Sequence, residues 1–162
     1  MSVEFDIKIL RPVLWGALLA SAESVLADLF ADQLLLVSET PVDSMLGDSE
    51  QNIDCRIDHE TVVTVIVHKA GDERGLGAEG GYWLTVAADR VRSGRSAVLA
   101  LLLAAAAAQV IGTNVVDEWL IVGTQREVSP IKVAEFVRSL AEAGCFQTTA
   151  RILAARLDIA PT

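Results

Sequence analysis

The chain has 162 residues, 13 lysines and arginines against 22 aspartates and glutamates, and a net charge of −9 at pH 7. Apolar residues make up 52 % of it, which is too many for a disordered chain, and the length is too short for two full domains. Phosphate binding depends mostly on lysine and arginine, so the acidity excludes a general nucleic-acid binder. The composition therefore predicts a single acidic domain over residues 1–162.

Cysteine usage and hydropathy predict a cytoplasmic protein without a membrane span. Cys55 and Cys145 lie far apart and form no C-x-x-C pair, which indicates a reducing compartment. The first residues lack the basic region and apolar core of a signal peptide. Residues 97–111 are apolar in 14 of 15 positions, with only Gln109 interrupting. Because a bilayer needs about 20 apolar residues, this run predicts a buried core helix.

The first part of the chain predicts a strand, a helix and an acidic loop. Residues 3–9 alternate between apolar and polar, which is typical of a strand with one wet face. Pro12 then opens an amphipathic helix that ends near residue 31. Residues 34–37 form a short extended piece. Residues 39–54 carry five acids and no base, and they predict a surface loop.

The middle of the chain predicts a hairpin with one further strand before it. Residues 53–57 alternate and predict a short strand. Residues 61–68 are mostly β-branched, so they form a stronger strand. Five glycines in residues 71–81 indicate a loop, after which residues 82–88 form the second strand of the hairpin.

An alanine-rich helix and another strand follow. Ser93 or Ser96 can cap the start of the helix, and Gly112 ends it. Residues 115–122 are rich in valine, leucine, isoleucine and tryptophan, and they predict a strand that contains two acids.

The C-terminal part predicts two more helices and completes the fold class. Ser129 and Pro130 are an N-cap and a first helical residue, and that helix runs to residue 144. Residues 149–157 form a last helix. We therefore predict an α+β, two-layer sandwich with a mostly antiparallel sheet in the ferredoxin-like βαββαβ order, extra strands before the hairpin and helices at the C-terminus. Such a fold hosts many functions and predicts none.

The glycine-rich loop contains two patterns associated with phosphate binding. Residues 75–80 read G-L-G-A-E-G and match the dinucleotide motif, which needs a helix after it. A strand is predicted there instead, which favours a plain hairpin loop. Arg74, Gly75 and Gly77 also resemble the R-G-x-G-x-A/G segment of the GNAT acetyltransferases. That resemblance implies a small transferase whose loop holds acetyl-CoA, although the family continues directly into a helix.

A basic cluster precedes the alanine-rich helix in this otherwise acidic chain. Three cations, two hydroxyls and a helix N-terminus form a candidate anion site, made of Arg90, Arg92, Ser93, Arg95 and Ser96. A solvated, capped connection explains the same residues and is the interpretation we favour. The cluster can also provide an internal partner for aspartate or glutamate.

The remaining residues that could carry out catalysis or bind a metal form no strong pattern. Asp117 and Glu118 are a paired-acid candidate, but neighbours on a strand point to opposite faces and cannot share one ligand. The only histidines, His59 and His68, have no zinc-type spacing, so we expect no metal site. The chain contains no nucleophile elbow and no P-loop, and we assign no catalytic residue.

The missing motifs and the strong negative charge together predict a non-catalytic protein that binds a basic protein partner. One version is an inhibitor of the immunity or antitoxin type that masks a basic toxin, since residues 82–123 are similar in general look to small bacterial α+β proteins of that kind. The alternative is a small transferase or other enzyme that binds a phosphate-bearing ligand such as acetyl-CoA. A homodimer is compatible with either, and neither involves nucleic acid or a membrane.

Overall fold

The computed structural model describes residues 2–69, 81–88, 93–141 and 144–157. These residues form an α+β fold with a six-stranded sheet, a two-stranded ribbon and four α-helices. The strands are β1 (Glu4–Ile9), β2 (Val13–Leu14), β3 (Met45–Leu46), β4 (Gln51–Arg56), β5 (Val62–Lys69), β6 (Tyr82–Ala88), β7 (Val115–Val116) and β8 (Glu127–Val128). The helices are α1 (Trp15–Leu29), α2 (Gly94–Ile111), α3 (Pro130–Leu140) and α4 (Phe146–Leu157).

The large sheet has the order β4-β5-β6-β1-β7-β8, and each of its described pairs is antiparallel. β1 lies inside the sheet, where Ile7 pairs with Leu84 on one side and Val115 on the other. The predicted hairpin is present as β5 and β6, and the predicted extra strand before it is β4. The ribbon of β2 and β3 and the edge strand β8 were not predicted, because strands of two residues leave no alternation to detect.

Helix α2 forms the centre of the core. It contacts β1, β5, β6 and β7 on one side and α1, α3 and α4 on the others. By length and composition it could cross a membrane, but 83 % of its 18-residue span is buried inside the fold. Its alanines, from Ala104 to Ala108, are at most 3 % exposed, so small side chains line the close helix contacts. The predicted buried core helix is confirmed.

The ends of α2 and the start of α3 follow the predicted capping pattern. The Ser93 hydroxyl accepts a hydrogen bond from the Ser96 N–H at 3.0 Å, and Gly112 ends α2 in the left-handed region at φ 86°. The Ser129 hydroxyl accepts from the N–H of Lys132 at 3.4 Å, with Pro130 as the first helical residue. Local capping chemistry therefore determines these helix ends.

Tertiary contacts shift the other helix ends from their predicted positions. Helix α1 begins at Trp15, three residues after Pro12, and no side chain caps it. Helix α3 ends at Leu140 rather than residue 144. Helix α4 begins at Phe146 rather than residue 149, because the carboxylate of Asp32 accepts the N–H of Phe146 at 2.9 Å. Such a cap comes from a residue distant in sequence and leaves no local signal.

Candidate functional site

The described members of the basic cluster lie at the start of α2. Ser93 is the N-cap, and its hydroxyl also donates to the Ser96 hydroxyl at 3.2 Å. The Ser96 hydroxyl accepts the N–H of Val62, the first residue of β5, at 3.2 Å. Both serine side chains are therefore engaged within the fold. Arg90 and Arg92 lie outside the described residues.

The guanidinium of Arg95 connects three elements. Its Nε donates to Thr61 Oγ1 at 2.8 Å, and its Nη1 donates to Gln147 Oε1 at 3.2 Å. Its Nη2 forms an ion pair with Asp58, and its Cζ lies 5.7 Å from the ring centre of Phe146. The internal-partner interpretation is thus observed for Arg95, which fastens α2 to the β4–β5 loop and to the start of α4.

Asp58 organises the loop that receives Arg95. Its Oδ1 accepts the N–H groups of Glu60 and Thr61, each at 2.9 Å, and so closes the turn. Burial opposes ionisation of this carboxyl group, but the Glu60 N–H, the Thr61 hydrogen bonds and the Arg95 charge outweigh it. The pKa of Asp58 therefore lies below its ordinary value.

The proposed ligand loop falls mainly outside the described part of the chain. Arg74, Gly75 and Gly77 lie outside the described residues. The strands on either side are described, and β5 pairs antiparallel with β6 from Lys69 and Tyr82 onward. A strand therefore follows the glycine-rich segment, as the sequence predicts, where the acetyltransferase pattern has a helix.

The prediction that Asp117 and Glu118 lie on a strand over residues 115–122 is wrong. Strand β7 ends at Val116, and the chain turns immediately afterwards. Asp117 is fully buried, and its carboxylate accepts the Val122 N–H at 2.9 Å. Glu118 is exposed and lies 3.6 Å from Arg126. A carboxylate that binds backbone N–H groups stabilises a turn, and this competing local structure ends the strand.

Asp117 holds a tight, partly strained turn. Leu120 has a φ of 53°, a left-handed value that is uncommon for leucine. Asp117 Oδ1 is buried without a hydrogen-bond partner among the described residues. Burial raises the pKa of the Asp117 carboxyl group, although the backbone N–H groups of the turn act in the opposite direction. Trp119 remains 47 % exposed at the tip of the turn.

We expect Asp117→Asn to remove a pH dependence of stability. A raised folded-state pKa means that the native state binds the proton more tightly, so wild-type stability falls as pH rises through that pKa. Asparagine keeps an oxygen for the Val122 N–H but has no charge to bury. Its stability relative to wild type should therefore increase from acidic to neutral pH in urea unfolding. Asp117→Ala should cost about 1–3 kcal/mol in acid, because the Val122 N–H loses its acceptor, and this cost should shrink towards neutral pH since alanine too has no charge to bury. Parallel pH profiles of wild type and Asp117→Asn would contradict this account.

The two cysteines have opposite environments. Cys55 is buried on β4, and desolvation raises the pKa of its thiol to about 12. Cys145 precedes α4 and is partly exposed, and hydrogen bonds from the backbone and side chain of Thr148 lower the pKa of its thiol. Within the described ranges, no group of three or more histidine, cysteine or acidic side chains could hold a metal ion.

A polar row on the outer face of the sheet, opposite α2, is not anticipated by the sequence analysis. Thr85 Oγ1 donates to Asp6 Oδ1 at 2.5 Å, and His68 Nε2 lies 3.0 Å from Thr85 Oγ1. Asp6 is 6 % exposed, so the prediction of a uniformly wet face on β1 is wrong at this position. Thr85 is buried as well, so these hydrogen bonds link β1, β5 and β6 within the sheet. The signal in the sequence was a single aspartate in an alternating strand.

The most distinctive surface is the acidic segment, residues 39–54. All five of its carboxylates are exposed, and they are Glu39, Asp43, Asp48, Glu50 and Asp54. Exposed apolar side chains lie in the same segment, with Val42 at 64 % exposure and Met45 at 39 %. Leu14, which pairs with Met45 in the ribbon, is also exposed. The segment thus combines negative charge with accessible apolar surface.

The acidic segment is fixed to the body of the protein by backbone contacts. The N–H groups of Trp15 and Gly16 at the uncapped start of α1 donate to the carbonyls of Ser44 and Val42, at 2.9 and 2.8 Å. They satisfy helix N–H groups that otherwise have no partner. A Cβ on Gly16 would lie only 2.8 Å from the Val42 oxygen, so glycine permits the close approach. These contacts therefore hold the acidic segment in a defined position against the start of α1.

A shallow cleft of about 290 Å³ borders the acidic segment at the edge of the sheet. It is lined by residues 37–40 on one side and by residues of β4 and the first residue of β5 on the other, namely Asn52, Asp54, Arg56 and Val62. Asp54 accepts a hydrogen bond from Thr64 at 3.1 Å on the same face. The lining of the cleft is more polar than apolar, which suits an extended polypeptide better than a small apolar ligand.

Comparison with known proteins adds no family to this description. The chain matches no protein family model, no curated protein and no solved structure. Its function is therefore inferred from the residues and geometry described above.

Proposed function

We propose that this chain is a non-catalytic binding protein whose acidic segment recognises a basic protein partner. The observation that carries the proposal is the exposure of five carboxylates beside exposed Val42 and Met45 on a segment that is hydrogen-bonded to the start of α1. Apolar contact would provide most of the affinity, and the carboxylates would accelerate association and select for a basic surface. An inhibitor of the immunity or antitoxin type is one protein of this class.

The same proposal includes a finer description of the fold. We interpret β7, β1, β6 and β5 as a ferredoxin-like core, to which β4 and β8 add an edge strand on each side. Support comes from the strand order and from the helices that connect β1 to the β4–β5–β6 meander and β6 to β7. A two-layer arrangement is supported by the contacts of α2 with the sheet. The cytoplasmic location and the homodimer stay predictions.

The alternative of a transferase with a phosphate-bearing ligand has little support in the described residues. The Arg95 guanidinium is engaged by Asp58, Thr61 and Gln147, and the hydroxyls of Ser93 and Ser96 are used in capping and in holding β5. An anion would have to displace these contacts. The described residues of this cluster therefore favour a binding protein over a transferase.

The test uses two variants that each remove three negative charges. One neutralises the acidic segment with Asp43→Asn, Asp48→Asn and Glu50→Gln. The matched control neutralises exposed acids elsewhere, with Glu118→Gln, Glu127→Gln and Glu135→Gln. Each protein is used as bait in a lysate of the source cells, at low and high salt, and captured proteins are identified by mass spectrometry.

We expect wild type and the control variant to capture the same basic proteins. The acidic-segment variant should no longer capture them. Losing three rim charges should weaken such a complex by roughly threefold to 150-fold, since each exposed charge contributes about 0.2–1 kcal/mol. Higher salt should reduce capture by wild type. Capture of the same proteins by all three baits, or of no basic protein by any, would overturn the proposed function.

A further inference from the structure

At the edge strand β4, whose first residues belong to the acidic segment, some backbone groups have no hydrogen-bond partner among the described residues. The N–H and C=O groups of Arg56 point away from β5, because they exchange hydrogen bonds with Val37 at 3.0 and 2.8 Å. Alternate residues of an antiparallel strand point their backbone groups to the same side. Asp54 and Asn52 therefore direct their N–H and C=O groups outward, and neither forms a backbone hydrogen bond with a described residue on that side.

The segment after Val37 could continue along β4 but does not. Antiparallel continuation from the Val37–Arg56 bridge would place Glu39 opposite Asp54, and two carboxylates directly opposite are unfavourable. Instead the chain turns, with the Thr40 N–H bonded to the Ser38 hydroxyl at 3.4 Å. The space left between the two is the 290 Å³ cleft. Like-charge repulsion thus explains why this edge stays open.

From these observations, and resting on the proposed function, we propose that β4 binds an extended basic segment of the partner by strand addition. The incoming strand would pair with the outward groups of Asn52 and Asp54 and continue the position that Val37 occupies at Arg56. Its lysine or arginine side chains would lie on the outer face beside Asp54 and Glu39. Its alternate apolar side chains would lie on the face of Ile53 and Cys55, which are buried on the core side.

Charge also argues against a second copy of this chain as the occupant. Antiparallel pairing of β4 with its own copy would place Asp54 and Glu50 near the same acids of the partner. Because like charges opposite one another destabilise a strand pair, the edge disfavours self-association. A basic strand would instead place positive charges near Asp54 and Glu50, where unlike charges attract.

The experiment uses a fluorescein-labelled peptide of alternating lysine and valine. One matched peptide is N-methylated on the backbone amides that would face β4, which removes hydrogen bonds without changing charge. A second replaces lysine with glutamate. On the protein, Asn52→Pro removes one outward N–H at an edge position that tolerates proline, and Asn52→Ala controls for the lost side chain. Asp54→Asn tests the charge separately.

We expect salt-sensitive binding of the basic peptide and none of the glutamate peptide. N-methylation should weaken binding by about tenfold or more and Asn52→Pro by about fivefold, because each lost hydrogen bond is worth about 1 kcal/mol. Asn52→Ala should bind like wild type. Hydrogen exchange distinguishes backbone pairing from contact through side chains alone. If the peptide pairs with β4, the amide protons of Asn52 and Asp54 should become protected only when the peptide is bound.

The outcomes separate this inference from the proposed function. Equal binding of the methylated peptide, or no protection of the two amides, overturns strand addition. If the acidic-segment variant still loses its basic partners, the proposed function survives that result; if it keeps them, the proposed function fails on its own test. Self-association that Asn52→Pro abolishes would assign the edge to a second copy and overturn the basic occupant. Should Asn52→Pro fail to fold, the methylated peptide and Asp54→Asn still decide the question.

Discussion

Replacing Gly94 with alanine is expected to cost about 3 kcal/mol of unfolding free energy, near the upper end for overpacking a core. In an exposed helix the same change would stabilise by up to about 1 kcal/mol, because alanine is the better helix former. Here α2 crosses α4 at this residue. A Cβ at position 94 would overlap the Ala150 carbonyl oxygen and lie 2.9 Å from the Ala154 Cβ. The obstacle is helix backbone, so α4 has to move as a unit.

Gly123→Ala is the matched control for this substitution. No atom lies within 4 Å of a Cβ built on Gly123, and its backbone is not in the left-handed region. We expect a change within about 0.5 kcal/mol for the control, as for most surface substitutions. Urea unfolding of both variants measures the difference. If Gly94→Ala is as stable as Gly123→Ala, the close crossing of α2 and α4 is wrong.

Removing the Arg95 side chain is expected to destabilise the fold by about 2 kcal/mol at neutral pH, the usual cost of hydrogen bonds to a charged group. The loss includes contacts to Asp58, Thr61 and Gln147. We keep the figure modest because the Asp58 side chain is 40 % exposed and solvent screens part of the ion pair. Arg95→Lys should recover only part of it, since an ammonium group lacks the planar set of donors.

The pH dependence of stability distinguishes the Arg95–Asp58 ion pair from the other contacts of Arg95. Because the folded-state pKa of Asp58 is lowered, its stabilisation is present above the ordinary carboxyl pKa of about 4 and is lost as pH falls through the folded pKa. The gap between wild type and Arg95→Ala should therefore narrow in acid. Arg138→Ala is the control, because its pair with Asp28 is 60 % and 72 % exposed and should contribute less than about 1 kcal/mol. An equal loss in both variants would contradict a connecting role for Arg95.

The predicted site was partly accessible from sequence, and the reasons differ between residues. A cap at Ser93 or Ser96 could be predicted because a hydroxyl before an apolar run has a local signature, and the structure assigns it to Ser93. The role of Arg95 required Asp58 and Gln147, which are distant in sequence and reach it only through the fold. Asp117 was assigned to a strand because its apolar neighbours suggested one. Its bond to the Val122 N–H is a turn contact that strand periodicity does not detect.

The sequence by itself determined the long elements, the α+β class, the buried helix α2 and the acidic composition of residues 39–54. These depend on periodicity, capping and charge, which are properties of neighbouring residues. Only the tertiary structure decided that Gly94 sits against the backbone of α4, that Arg95 is bonded internally, and that β4 is an edge strand of the described sheet with exposed acids on it. Each of those facts depends on which distant segments meet. The structure therefore shows where part of the net charge of −9 lies, since the exposed carboxylates of residues 39–54 are found at one edge of the sheet.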